Sequence, residues 1–212
     1  MQHRELQQKV NHLHTFTLQD LENLFQKVDR SQLSRWESRG WLIRISDGLY
    51  ALDTKRLDVH LLANEITPSY ISLEYALSYY QMIPEIVRVV TSITAGSSRE
   101  EKTPVGMFLY QKVKPELVTG YVLKKSTFND VAFKIATPEK AMFDLAYVRQ
   151  DLGDETDYES MRFNIPEGFD TLLLENFIQL VDSGIRKNRM YKFFSPLLGE
   201  GSTEKEELVS LI

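Results

Sequence analysis

The sequence predicts an α+β protein: an N-terminal winged helix-turn-helix, then a mixed α/β domain with an antiparallel sheet and flanking helices. Three observations carry this. The stretch from Asp29 to Leu52, DRSQLSRWESRGWLIRISDGLYAL, places a short polar-faced helical segment before two apolar runs that flank Asp47-Gly48. Two further helical segments precede it, which gives the order helix, helix, turn, helix, hairpin. Beyond residue 56, several β-branched runs lie close together without helices between them, a spacing that favours antiparallel pairing.

Taken in order, Leu6, Val10 and Leu13 fall at helical spacing in residues 4–13. Thr17 is placed to cap a second helix from Leu18. Asp20 and Glu22 complement its dipole, and Leu18, Leu21, Leu24 and Phe25 form its apolar stripe. The third helix runs from Ser31, read as its N-cap, to Arg39. Leu33 and Trp36 face a core and Gly40 stops it. Trp41–Ile45 and Leu49–Leu52 then form a hairpin around Ser46-Asp47-Gly48. The polar run from Asp53 to Asp58 marks a boundary between a winged helix in residues 1–56 and a second domain in residues 57–212.

The second domain opens with helices over Leu57–Ile66 and Leu73–Gln81, the latter capped by Ser72. Strands follow at Val87–Thr94, Met107–Val113, Tyr121–Leu123 and Val131–Ile135, with a charged loop at Gly96–Lys102. Thr137-Pro138-Glu139 begins a helix whose face carries Ala141, Leu145 and Val148. Residues 150–170 read as an acidic loop. Helices are expected over Leu172–Val181 and Arg186–Phe194, and Gly199–Ile212 reads as a terminal tail. Residues 150–212 carry no assigned role.

Among 212 residues, 42 % are hydrophobic and 26 % charged, which is ordinary globular composition. The absence of cysteine excludes disulfides, cysteine-ligated zinc and thiol catalysis, and fits a reducing compartment. No apolar run approaches about 18 residues, so a soluble cytoplasmic protein is expected. The net charge of −5 is unevenly spread: residues 1–56 carry +2 and the remainder −7. A weakly basic front on an acidic body suits a reader of DNA.

Four segments add a family resemblance. They are Tyr70–Glu85 (YISLEYALSYYQMIPE), the Val87–Thr94 strand, Arg99 with Thr103-Pro-Val-Gly-Met-Phe-Leu-Tyr, and Ala136-Thr-Pro-Glu-Lys-Ala-Met-Phe-Asp-Leu. In that order, and with the Gly48-Leu-Tyr-Ala-Leu strand before them, they resemble the AbiEi-type abortive-infection antitoxins over about residues 15–150. These are the antitoxin half of type IV toxin–antitoxin pairs and are also transcriptional regulators. The resemblance implies a winged helix that represses its own operon and a C-terminal domain that confers antitoxicity. It implies a nucleotidyltransferase toxin as functional partner, counteracted without a stable complex.

The DNA-binding roles divide by chemistry. Gln32, Ser34, Arg35 and Ser38 can address base edges, and the guanidinium fork of Arg35 matches guanine. Arg30, Arg39, Arg44 and Lys55 are placed for phosphate, which fixes register and salt dependence. One winged helix reads one half-site, so promoter repeats call for two copies, which can meet on DNA as monomers or as a weak dimer.

Enzyme readings find little. Gly96-Ser97-Ser98-Arg99 lacks the paired carboxylates a nucleotidyltransferase needs. Asp130 and Lys134 are near in sequence, but the Glu-x-Lys pattern of a metal nuclease is missing. Glu74, Glu139 and Asp144 read as capping, solvated or ion-paired groups. His3, His12, His14 and His60 show no metal-ligand spacing. No catalytic residue, metal or cofactor is assigned. Tyr75, Tyr79 and Tyr80 read as core or edge residues. Arg186, Lys187, Arg189 and Lys192 are expected to meet the acidic 151–159 segment rather than nucleic acid. The alternatives are a protein-interaction module with a non-DNA-binding winged helix and, less favoured, a nuclease.

Overall fold

The computed structural model describes residues 2–25, 27–127 and 131–199. Asp130 and the tail from residue 200 onward lie outside these residues. The architecture is α+β, with a three-stranded antiparallel sheet near the N-terminus and a six-stranded mixed sheet behind it. No helix among the described residues is long and apolar enough to cross a membrane.

The front begins with α1 (His3–Val10), β1 (Phe16–Thr17) and α2 (Leu18–Leu24). Thr17 accepts from the Asp20 amide, and Asp20 answers with a bond from the Thr17 amide, so both ends of a capping box are present. Next come α3 (Arg30–Ser38), β2 (Ile43–Ser46) and β3 (Leu49–Ala51). The N-cap of α3 is Asp29, not Ser31 as expected. The Asp29 carboxylate accepts from both the amide and the hydroxyl of Ser31, a stronger charged cap two residues earlier. Gly40 (φ +69°) ends the helix and Gly48 (φ +72°) turns the hairpin, both in the left-handed region that glycine tolerates. β1, only two residues long, was not foreseen; it pairs with β3, which is therefore central.

Two apolar cores result. Leu6, Val10, Phe16, Leu21, Leu33, Trp36, Leu42 and Tyr50 form the front core. Ile45, Leu49 and Ala51 belong instead to the large rear core. A strand sends successive side chains to opposite faces, so β3 inserts Tyr50 into one core and its neighbours into the other.

The rear contains α4 (Val59–Ile66), β4 (Tyr70–Ile71), α5 (Leu73–Tyr79), β5 (Val90–Thr94), β6 (Arg99–Thr103), β7 (Gly106–Lys112), β8 (Tyr121–Lys125) and β9 (Ala132–Ala136). They are followed by α6 (Pro138–Val148), α7 (Glu155–Ser160), α8 (Thr171–Gln179), α9 (Gly184–Phe193) and α10 (Ser195–Leu198). The strand order is β6-β7-β5-β4-β9-β8.

The expected antiparallel sheet is corrected: β5 with β7 and β4 with β9 run parallel, the other pairs antiparallel. The β6–β7 hairpin inserts its second strand beside β5, so a parallel pair arises without an intervening helix. The segment read as a charged loop supplies β6, an edge strand whose charges suit an unpaired outer side. The acidic 150–170 segment likewise contains α7, which has a capping box between Asp154 and Asp157.

Candidate nucleic-acid interface

Helix α3 buries Leu33 and Trp36 and turns its other positions outward. Ser34, Arg35, Ser38 and Arg39 are exposed and Gln32 is half-buried, so the proposed base-reading positions share the solvent side of one helix. Arg35 lies 3.8 Å from Asp29, a solvent-exposed ion pair that costs little to exchange for another anion. The Ser38 hydroxyl donates to the Ser34 carbonyl at 2.9 Å, so its donor is used within the helix and its lone pairs face outward. Arg39 lies over the exposed Trp41 ring at 5.1 Å.

Arg30, Arg44 and Lys55 are also exposed. Arg44 donates to Asp47 at 2.5 Å across the hairpin turn, and this bond raises its pKa above the usual arginine value. The hydrogen bond from the Ser31 hydroxyl, aided by its amide, holds Asp29 below the ordinary carboxylate range. Asp29 and Asp47 thus partner two of the cations, which spacing alone does not reveal.

The segment between α1 and β1 is tied to α4. His14 accepts the Asp58 amide at Nε2 (2.8 Å), so Nδ1 carries the proton and donates to Glu65 at 2.9 Å. Thr15 also donates to Glu65, and Arg56 donates to Asn11. The Asp58 carboxylate caps α4 through His60 and accepts from Ser126. Burial works against its charge, but these donors outweigh burial and its pKa falls below the ordinary value.

The rear half hides a second constellation. Asp144, expected on a solvated or ion-paired face, is fully buried. It accepts from Tyr70 (2.9 Å), Ser72 (2.7 Å) and the equally buried Lys140. The Lys140 ammonium lies 4.4–5.6 Å from the rings of Phe143, Tyr70 and Phe177. Burial pushes the Lys140 pKa down and that of the Asp144 carboxyl up, each toward its neutral form. Glu139 is also buried and accepts the Asp170 amide at the start of α8. The signal for the Lys140–Asp144 pair was available: opposite charges at i, i+4 inside a helix that is otherwise apolar.

Ser72 holds the N-cap position of α5, but its hydroxyl serves Asp144 rather than the helix. The following Leu73 has φ +59°, a strained entry for a bulky residue. Thr91 braces it, taking the Tyr75 amide and donating to the Ser72 carbonyl.

Tyr79 is exposed, while Tyr80 donates to the Ala136 carbonyl and burial pushes its pKa up to about 12. Of the α9 cations, Arg189 reaches the 151–159 segment through the Leu152 carbonyl. It also bonds the Ala146 and Arg149 carbonyls. Lys187 bonds Gln179 and Arg186 lies over Tyr147, neither as expected. Among the described residues no group of three or more His, Asp or Glu side chains is placed to hold a metal. No family model matches the chain and no curated protein matches it.

Proposed function

We propose that the front of the molecule is a winged helix and that the protein is a sequence-specific transcriptional repressor of the antitoxin kind, acting by binding rather than catalysis. The observation that carries this reading is α3 itself. Its apolar side is fully engaged by Leu33 and Trp36, while Gln32, Ser34, Arg35 and Ser38 lie on the side turned to solvent. In the hairpin that follows, strand β2 holds out Arg44. A short helix with outward donors next to a hairpin fits a major groove, with the hairpin against the backbone.

Arg35 and Gln32 read base edges, whereas Arg30, Arg39, Arg44 and Lys55 contact phosphate. Autoregulation of its own operon, and restraint of a nucleotidyltransferase toxin without a stable complex, rest on the resemblance to the AbiEi-type antitoxins. In this reading residues 1–56 form the DNA-binding domain and 57–212 the antitoxin domain, in the cytoplasm.

Mobility-shift titration on the protein's own promoter tests the reading. Arg35→Ala is expected to weaken the specific site by about 1–3 kcal/mol and to relax preference at one base pair. Lys55→Ala is expected to weaken all sequences alike and to flatten the salt dependence. Failure of the wild-type protein to shift promoter DNA even at low salt would remove the repressor reading. Growth rescue on co-expression with a neighbouring nucleotidyltransferase tests the antitoxin part separately.

A further inference from the structure

The rear half carries a cationic cleft that the repressor reading does not use. Two adjoining cavities, of about 360 and 440 Å³, share Lys114, Tyr147 and Arg186. Lys112 joins the lining of the larger one. Volumes of this order suit a small ligand. Leu117 and Val181 give the smaller cavity an apolar wall, and Val113 and Val148 do the same for the larger.

The charge of the cleft runs against its surroundings. Three cations line it against one carboxylate, Asp182, on a body that carries −7 from residue 57 onward. Asp182 takes one of the three, bonding Lys114 at 2.5 Å, with Glu116 a further 3.8 Å from the same ammonium. Among the described residues, Lys112 and Arg186 have no ion-pair partner. Arg186 lies 4.6 Å over the ring of Tyr147, and Tyr147 stacks in turn on Phe143. A guanidinium lying over a tyrosine ring is a delocalised cation kept close to an aromatic face. It can accept a planar ring by stacking or bond an oxyanion through its fork.

We propose that this cleft binds a nucleoside phosphate, with the phosphates drawn by Lys112, Lys114 and Arg186 and the base stacked at the Arg186–Tyr147 platform. Ammonium groups act as point charges for phosphate oxygens, and stacking on a guanidinium is tolerant of base identity. The site therefore selects for phosphate number more than for one base. The inference is independent of the DNA-binding reading, since none of its residues lies in residues 1–56.

Isothermal titration of the full chain with ATP, with UTP and with inorganic triphosphate tests it. Both nucleotides are expected to bind within about fivefold of each other, and inorganic triphosphate at least about tenfold more weakly, a difference of about 1.4 kcal/mol. Lys112→Glu, on an exposed side chain, is expected to cut nucleotide affinity at least about tenfold with unchanged far-UV circular dichroism; Arg186→Glu is expected to do the same. Absence of binding by the wild-type chain at millimolar nucleotide would overturn the proposal, as would full affinity in both variants. Equal binding of inorganic triphosphate would overturn the assignment of a nucleoside. Tighter binding by a ten-nucleotide single strand, lost in the same variants, would give the cleft to a nucleic-acid strand instead.

Discussion

The buried Lys140–Asp144 pair makes a quantitative test of what holds the rear half together. Lys140→Met leaves the Asp144 carboxylate wholly enclosed, with only the Tyr70 and Ser72 hydroxyls as donors. Asp144→Asn leaves the Lys140 ammonium enclosed beneath three aromatic rings. Stranding one charge of a buried pair costs about 3–5 kcal/mol. With a urea dependence of about 2 kcal/mol per molar, each single change should lower the unfolding midpoint by about 1.5–2.5 M. The double variant strands no charge. The amide oxygen that replaces the carboxylate still accepts from the hydroxyls, and the methionine packs against the rings. It should lie within about 2 kcal/mol of the parent, since a buried ion pair is often matched by a neutral replacement. The cycle then gives a coupling of at least about 4 kcal/mol. Urea titration at pH 7, followed by far-UV circular dichroism, reads all four corners. Additive losses, or single losses under about 1 kcal/mol, would show that the pair does not hold the rear half together.

Other expectations follow from local geometry. Gly120 has φ +73°, and a Cβ there would meet Phe177 Cζ at 2.6 Å and Lys140 Cδ at 3.0 Å. Gly120→Ala should therefore cost about 1–3 kcal/mol in a thermal or urea melt, and a neutral result would mean that α8 yields easily. The Arg149 hydrogen bond holds Asp151 at a pKa of about 2, and Asp58 is also lowered. Both lie below the unfolded value of about 3.9. Their contribution is thus present above that value and is lost as pH falls through the folded one. The urea midpoint should hold down to about pH 5 and drop between about pH 4 and 2. Asp151→Asn should flatten that drop, and an unchanged slope would exclude the pair as a source. His14→Ala removes the acceptor of the Asp58 amide and a donor to Glu65. A cost of about 1–3 kcal/mol is expected. Hydrogen exchange at the Asp58 amide should accelerate, and unchanged exchange would show that the front–rear contact is held elsewhere.

The helices were legible in the sequence because their caps and apolar spacing are local signals. Thr17, Thr137 with Pro138, and Gly40 all stand where the structure uses them. The misreadings have local causes too. Ser31 looked like a cap because serine is a good one, but Asp29, two residues earlier, offers a charged acceptor to the same residue. β6 was hidden because an edge strand exposed to water can be built of Arg, Glu and Lys, a composition shared with loops. Strand direction in the large sheet depends on where the β6–β7 hairpin docks, a long-range choice that spacing does not encode. The outward residues of α3 were legible as a helical face. The pairing of Arg35 with Asp29, and of the β2 residue Arg44 with Asp47, was not, because it depends on turn geometry. The cationic cleft draws on β7, α6 and α9 and has no signature in any one segment.

The placement of β3 between two cores sets how the chain can be cut. Freed of the rear half, a fragment ending near residue 56 would bare Ile45, Leu49 and Ala51 as an adhesive underside on its own hairpin. Such a piece would be prone to clump, and grafting it onto another effector body would require a matching apolar seat. The front and rear parts are thus obliged to travel together, so that strain imposed on one has a short route to the other.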